Sequence, residues 1–251
     1  MIRLIADVHG ATAALRRVAS DPGPLLILGD LINFIDYRTN EGIVSVVSGK
    51  EIVGEFVRLR TSGDQREATR LWRDHAQGRE TELRDAYDRE IAAAYTEICA
   101  ALEGSDAYVT YGNVDRPALL LPALPDGVRF VDAEAIDIEG IRFGFAGGGL
   151  PRVGSPGEVS DDEMRVKLEA LGPVDVLCTH IPPAVPALAT DVVAGLQKGS
   201  SAVLEYIERF APPFHYFGDI HQPQAMTWRI GTTVSTNVGY FRATGRVVRH
   251  G

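Results

Sequence analysis

The stretch IRLIADVHG, residues 2–10, joins a short apolar run to an aspartate and a histidine two positions apart. A short run that is apolar except for Arg3 is typical of a strand buried on both faces of a parallel sheet. Side chains of an extended segment alternate between its two sides, so Asp7 and His9 are expected on the same side. Taken alone such a pair is common by chance, and its meaning depends on the rest of the chain.

Further apolar runs predict an α/β fold. They lie at residues 25–28, 107–111, 128–131, 135–138, 142–146, 174–179, 214–217 and 232–237. Helix-forming segments separate several of them, beginning with residues 11–19, so we expect sheets that are covered on both faces. The Glu139-Gly140 turn between two of the runs predicts an antiparallel hairpin, and the sheets are therefore expected to be mixed.

Residues 36–105 interrupt this pattern, because no buried strand is predicted among them. From Gly63 onward the segment is rich in good helix formers, and an apolar stripe predicts one long helix. The stripe consists of Leu83, Tyr87, Ile91, Ala94, Tyr95, Ile98 and Leu102. We expect the stripe to pack on the sheet. Residues 37–72 are expected to overhang the strand ends that carry Asp7, His9 and Asp30 and to restrict the size of a substrate bound there. A dimer contact is the alternative. The chain is predicted to be one domain, residues 1–251, with a helical insertion at about 36–105.

The net charge, the cysteine count and the length of the apolar runs argue against several classes of function. The 251 residues carry a net charge of −9, which argues against a protein that coats nucleic acid. Cys99 and Cys178 are too few for a disulfide framework, as is typical of the cytoplasm. The first apolar run follows Met1 directly, and no run approaches the roughly 20 residues that span a bilayer. We therefore expect a cytoplasmic protein without a membrane partner.

Four short motifs follow predicted strands and supply oxygen and nitrogen ligands. They are Asp7-Val8-His9, Gly29-Asp30, Gly112-Asn113-Val114-Asp115 and, after Thr179-His180, Gly218-Asp219-Ile220-His221. Because ligand sites form at the carboxyl ends of parallel strands, we expect these side chains to converge. Considered alone, Asp30 could cap a helix and Asn113 could occupy a turn. The presence of four such motifs in order favours a metal centre. Carboxylate, imidazole and amide ligands without thiolate suit Mn, Fe or Zn, with Mg also possible.

In the order of these motifs the chain resembles the calcineurin-like metallophosphoesterase superfamily, whose pattern runs D-x-H, GD, GN-H-[DE], H and G-H-x-H. The resemblance extends from residue 2 to about residue 239, apart from the insertion. It implies an α/β sandwich of two mixed sheets flanked by helices, and two divalent metal ions. Carried over position by position, it implies that the first ion is held by Asp7, His9 and His221, that Asp30 bridges both ions, and that the second is held by Asn113 and His180.

Two positions depart from the family pattern. Val114 stands where the family has the histidine credited with protonating the leaving group or steadying the transition state. Asp219 stands where the family has a histidine on the second metal, and it either ligates that ion or points away from it. His215 is a candidate replacement for the missing proton donor, although its sequence context is more typical of a packed strand residue.

The resemblance implies hydrolysis of a phosphodiester or an activated phosphomonoester by a hydroxide that two metal ions share. Asp30, Asn113 and Asp115 are the expected catalytic residues. The expected metal ligands are Asp7, His9, Asp30, Asn113, His180, Asp219 and His221. The alternative is a catalytically weak protein of the same fold that serves as a protein-interaction scaffold, which Val114 and Asp219 favour. The expected partner is a small-molecule or generic phosphoester substrate, without stable nucleic-acid binding, and a homodimer is left open.

Overall fold

The computed structural model describes residues 1–152, 154–193 and 195–251. Strands β1–β13 are, in order, Ile2–Ile5, Leu25–Leu28, Ala107–Thr110, Val128–Phe130, Glu134–Ile138, Ile141–Ala146, Val176–Thr179, Thr190–Asp191, Leu196–Gln197, Phe214–Phe217, Thr227–Ile230, Thr233–Asn237 and Val248–His250. Helices α1–α10 are Thr12–Ala19, Ile43–Ser48, Lys50–Thr61, Gln65–Ala76, Glu80–Leu102, Pro117–Leu120, Asp161–Leu171, Pro186–Ala189, Ser201–Phe210 and Phe241–Thr244.

Two mixed sheets form the centre of the molecule, as the sequence predicts. The first has the order β13-β1-β2-β3-β4, in which β1 to β4 are parallel and β13 is antiparallel to β1. The second has the order β11-β12-β10-β7-β6-β5, with a parallel centre and an antiparallel strand at each edge. The predicted hairpin at Glu139-Gly140 joins β5 to β6 and is confirmed.

Most inner strands are buried on both faces, which explains their apolar runs, whereas burial alternates along the more polar β12. In β2, Leu26 and Leu28 lie in the layer between the two sheets, where they meet Phe143 and Val176 of the second sheet. Leu25 and Ile27 point the other way, into a layer that α1 and α5 cover. Helices α7 and α9 cover the outer face of the second sheet in the same manner. The fold is therefore an α/β sandwich with helices on both outer faces.

The predicted insertion is helical and contains α2 to α5, with only the isolated bridge between Asp36 and Glu41 in extended pairing. The predicted stripe lies on α5, where Ile91, Tyr95 and Ile98 are buried against the first sheet and α1. Helices α2, α3 and α4 form a separate small core with Phe34 and Tyr87. The stripe thus packs on the main core, and the rest of the insertion builds a second layer beside it.

The strand pattern missed one edge strand of each sheet, β13 in the first and β11 in the second. Strand β11 pairs with β12, yet Thr227, Trp228 and Arg229 are exposed, so no apolar alternation marks it. Strand β13 has only three residues and follows a polar segment. Edge strands bury little, and for that reason they leave a weak pattern in the sequence. Among the described residues, no helix is both long enough and apolar enough to cross a membrane.

Candidate metal centre

The candidate ligands gather at one edge of the molecule because each follows the carboxyl end of a parallel strand. Asp7 follows β1, Asp30 follows β2, Asn113 follows β3 and His180 follows β7, while Asp219 and His221 follow β10. Backbone hydrogen bonds join the loops directly: the amide of His9 donates to Asp30 O at 2.9 Å. The convergence that the motif order predicts is therefore present in the fold.

One group of side chains that could hold a metal ion consists of Asp7, His9 and His221. The Nε2 atoms of the two histidines lie 3.3 Å apart, and His221 Nε2 lies 3.5 Å from Asp7 Oδ1. His9 Nδ1 lies 3.2 Å from Ile32 O, so it donates there and leaves Nε2 as the free acceptor. When His221 also presents a lone pair, the two nitrogens repel each other unless a cation lies between them.

A second group that could hold an ion consists of Asp7, Asp30 and His180. His180 Nδ1 donates to Leu28 O at 2.7 Å, which turns its Nε2 toward the site. That Nε2 lies 3.5 Å from Asp30 Oδ1 and 3.4 Å from Asn113 Oδ1. The other oxygen of Asp30 lies 3.6 Å from His9 Nε2. Asp30 therefore presents one oxygen to each group, and Asp7 belongs to both.

Asp7 carries the clearest sign that a cation belongs here. Its side chain is fully buried, and neither carboxylate oxygen accepts a hydrogen bond from the part of the chain that the structure describes. Burial disfavours its charge, but the facing histidines His221, His180 and His9 hold the pKa of Asp7 below its ordinary value. A buried carboxylate without donors is costly unless a positive charge compensates it. The donor set and this unpaired carboxylate fit a divalent metal ion.

The loops that carry the ligands adopt an uncommon backbone conformation. Asp7, His9, Asp30 and Asp219 have φ angles of 57°, 41°, 54° and 63°, in the left-handed region. Such residues cost about 1–3 kcal/mol each and cluster at functional sites. Glycine makes the tight approach of the loops possible, since a Cβ at Gly112 would collide with Asp30 Oδ1. The sequence signal is the glycine that precedes Asp30, Asn113 and Asp219 in the three motifs.

Asp115, predicted as a catalytic residue, lies behind the site instead of in it. Its carboxylate is fully buried and accepts hydrogen bonds from the amides of Leu31 at 3.1 Å and Gly112 at 2.8 Å. Burial and the charge of Asp30 raise the pKa of Asp115 to about 7. Those two amides adjoin Asp30 and Asn113, so Asp115 holds two ligand loops together. These contacts support a positioning role for Asp115, and its expected catalytic role stays a prediction.

Neither Val114 nor His215 can supply a proton to the candidate site in this fold. Val114 offers only its backbone amide, which donates to Asp30 Oδ1 at 3.1 Å, and its side chain packs on the core. His215 is fully buried, with Nε2 2.9 Å from Thr179 Oγ1 and Nδ1 2.8 Å from Ser235 Oγ. Both of its ring nitrogens are used inside the protein, as expected of a packed strand residue. His215 is therefore excluded as a replacement acid.

Three residues at or beside the site carried no motif in the sequence. Lys198 Nζ donates to Asp219 Oδ1 at 2.6 Å, and Asp219 belongs to neither group of candidate ligands. The ring of Tyr240 stacks on His221. Tyr95, a member of the predicted stripe, donates from its hydroxyl to Asp115 at 3.3 Å. A lysine or tyrosine far from the ligands in sequence gives no local signal of these contacts.

Comparison with known proteins establishes the fold alone. No protein-family model matches the sequence, and no curated protein matches it significantly. One crystal structure aligns over 98% of this chain and 92% of its own, with a TM-score of 0.61 and 16% identity. That of TT1561 from Thermus thermophilus aligns over 96% and 89%, with a TM-score of 0.51 and 14% identity. The sulfate thiohydrolase SoxB of Thermus thermophilus, in complex with glycerol, reaches a TM-score of only 0.37 at 13% identity, over 94% of this chain and 38% of that one, too low to support an argument.

Proposed function

We propose that this protein is a metal-dependent hydrolase that cleaves a phosphodiester or an activated phosphomonoester. The observation that carries the proposal is the pair of overlapping ligand groups, joined by a buried Asp7 carboxylate that accepts no hydrogen bond from the described residues. Its partners are histidines, with His221 Nε2 at 3.5 Å, and these are also metal-ligating side chains. A site that is complete only with bound cations supports chemistry on an anionic substrate.

The residues have separate tasks in this proposal. One ion is held by Asp7, His9 and His221, and a second by Asn113 and His180, with Asp30 between the two. Bound divalent ions stabilise negative charge on phosphoryl oxygens and lower the pKa of water. Leu28 O and Ile32 O fix the tautomers of His180 and His9. Asp115 holds the loops of Asp30 and Asn113 together, because its carboxylate accepts hydrogen bonds from the amides of Leu31 and Gly112.

The valine at position 114, where the resembled family has a histidine, predicts a preference among substrates. General acid catalysis typically contributes about 10²–10⁴-fold to a rate, and Val114 cannot donate a side-chain proton. Esters whose leaving groups depart without protonation should therefore be cleaved far faster than alkyl esters. Nitrophenyl and alkyl esters of the same phosphate, assayed side by side, measure this difference. Equal rates would mean that a group other than Val114 and His215 supplies the proton.

The experiment that tests the proposal measures metal content and hydrolysis together. The purified protein should retain Mn²⁺, Fe or Zn²⁺ and should hydrolyse a bis-nitrophenyl phosphodiester when Mn²⁺ is supplied. Asp30→Asn keeps the shape of the side chain but removes its charge, so it should lower metal content and reduce turnover by at least about 100-fold. Asp137→Asn, on the exposed side of β5, is the matched control and should change neither.

Two results would contradict the proposal. Full activity of the Asp30→Asn protein would rule out the bridging role of that residue. A protein that retains no divalent ion and leaves every phosphoester intact would instead favour the protein-interaction scaffold. Val114 and Asp219 are the features that make this second function worth testing.

A further inference from the structure

Lys198 brings a positive charge to the edge of the sheets where the candidate ligands lie. Its backbone amide donates to Ala189 O at 2.8 Å, and the neighbouring amide of Ser200 donates to Pro182 O at 2.9 Å. The segment that carries Lys198 is thereby fixed to the loop that follows His180. The backbone at Lys198 is therefore held in place by the fold.

The ammonium lies among the charges of the site. Its Nζ is 2.6 Å from Asp219 Oδ1, and the two side chains are only 23% and 3% exposed. A lysine that donates to a carboxylate at this distance is present as an ammonium. A positive charge therefore lies beside the candidate ligands of a protein whose net charge is −9.

Asp219 has the contacts of a counter-ion. It stands at the motif position where the resembled family has a metal ligand, yet it belongs to neither group of side chains that could hold an ion. Its carboxylate accepts the hydrogen bond from the Lys198 ammonium at 2.6 Å. A carboxylate already paired with an ammonium offers less charge to a metal ion.

We propose that Lys198 binds the anionic phosphoryl group of the substrate and that Asp219 is its counter-ion instead of a metal ligand. The inference rests on the proposed function, because it assigns a residue to the same site. An ammonium has three N–H donors. Among the described residues, Asp219 accepts one hydrogen bond from the Lys198 ammonium, which leaves two donors for phosphoryl oxygens.

The first test measures the binding of inorganic phosphate by calorimetry in Mn²⁺-loaded protein. Lys198→Met keeps the length of the side chain without its charge and should weaken binding by at least about tenfold, as expected for a charge-assisted hydrogen bond. Lys198→Arg should retain part of the affinity. Lys50→Met, at an exposed lysine paired with Glu41, is the matched control and should bind phosphate like the unmodified protein.

The second test measures metal content, which separates a counter-ion from a ligand. Asp219→Asn should keep the metal content of the unmodified protein, since the amide no longer pairs with Lys198 but no ligand is lost. Either single variant leaves one buried charge unpaired, which could destabilise the fold. The double variant Lys198→Met with Asp219→Asn removes both charges and serves as the control for this effect. It should keep the metal and lose phosphate affinity.

The outcomes also separate this inference from the proposed function. Unchanged phosphate binding by Lys198→Met, or loss of metal from Asp219→Asn, would overturn the inference while leaving a metal-dependent hydrolase intact. If the unmodified protein retains no divalent ion, the proposed function fails, and the same comparison of phosphate affinities in metal-free protein still decides the role of Lys198. Phosphate binding lost equally in Lys50→Met would mean that general charge, and not this site, attracts the anion.

Discussion

Tyr240 lies against both histidines of the first ligand group. Its ring is parallel to that of His221, with centroids 3.9 Å apart and 2° between the planes, and it meets His9 edge-on at 5.7 Å. A stacked ring restricts rotation of the His221 imidazole and keeps its Nε2 directed at Asp7. Groups that orient a ligand without touching the metal commonly affect affinity by about 10–100-fold.

Replacing Tyr240 should therefore weaken metal binding through orientation alone. We expect Tyr240→Leu to lower Mn²⁺ affinity by about tenfold, because the flat face against His221 is lost. Tyr240→Phe keeps the ring and should bind Mn²⁺ almost normally. Titration against a chelating dye measures both variants. Equal weakening in the two would show that the hydroxyl, not the stacked ring, matters.

His215 joins two strands of the second sheet through polar contacts that water does not reach. Its neighbours are Thr179 on β7 and Ser235 on β12, at 2.9 and 2.8 Å. Burial lowers the pKa of His215 to about 3, whereas the unfolded chain has an ordinary histidine pKa of about 6.5. The unfolded state therefore binds a proton between these two pH values and the folded state does not.

This difference gives stability a defined dependence on pH. As pH falls from about 6.5 toward 3, His215 should contribute a loss approaching 1.4 kcal/mol per pH unit, about the value for one proton. His215→Gln should make the stability curve flatter in that range, even though its stability at pH 7 is lower. Urea unfolding at a series of pH values measures the slopes. Parallel curves for the two proteins would show that other groups govern the acid response.

At the scale of elements, helix α5 supports the ligand loops as well as the core. Its Tyr95 is fully buried, and the hydroxyl donates to Asp115 Oδ1 at 3.3 Å and accepts from the amide of Arg116 at 2.7 Å. Asp115 in turn holds the amides next to Asp30 and Asn113. The insertion is thereby linked to the metal centre through one side chain of its long helix.

Two variants of α5 should separate this link from packing. Tyr95→Phe should lose about 1–3 kcal/mol of unfolding free energy and should also weaken metal binding, because Asp115 loses a donor. Ile98→Ala, one turn further along the same buried face, should lose about 2–5 kcal/mol while metal affinity stays unchanged. Denaturant unfolding and metal titration measure the two quantities. A loss of metal affinity only in Ile98→Ala would contradict the link.

The beginning of the insertion is attached to the site from the opposite side. Arg242 of α10 forms an ion pair with Asp36 at 3.3 Å, and its guanidinium and amide donate to His9 O and Asp7 O. These contacts place the loop after Asp36 next to the ligands. The stronger expectation, that residues 37–72 overhang the site and restrict substrate size, stays a prediction.

At the scale of the whole molecule, the buried carboxylate of Asp7 makes stability depend on metal. A metal ion that binds only the folded state adds about 2.7 kcal/mol when its concentration is 100 times its dissociation constant. Without an ion, the buried Asp7 carboxylate has the facing histidines as its partners among the described residues, and His221 Nε2 lies 3.5 Å away. The melting temperature should accordingly rise when Mn²⁺ is added and fall when a chelator removes it.

Neutralising Asp7 should weaken this dependence on metal. In the absence of metal, Asp7→Asn should melt close to the unmodified protein, because the amide removes the cost of burying a charge together with the attraction of the facing histidines. In the presence of Mn²⁺ the variant should melt lower, since it loses a ligand shared by both groups. Thermal unfolding with Mn²⁺ and with chelator measures both. A variant that melts lower under both conditions would show that Asp7 is stabilised by something other than metal.

The sandwich and the approximate place of the site were readable from the amino-acid sequence without any structure. Continuous apolar runs such as residues 25–28 identify strands that are buried on both faces, because burial imposes a local pattern on hydrophobicity. A ligand motif directly after such a run lies at the carboxyl end of its strand, whatever the order of strands. The stripe on α5 was readable for the same reason, since helical periodicity is local.

Which side chains meet across loops could be learned only from the tertiary structure. Asp115 reaches Leu31 across 84 positions of sequence, and Lys198 reaches Asp219 across 21. These contacts depend on which strands are neighbours and on how closely two loops approach, and neither is contained in the periodicity of one segment. The same reason explains why Asp115 and Asp219 have the contacts of a positioning residue and a counter-ion, although their motif positions are those of a catalytic residue and a metal ligand.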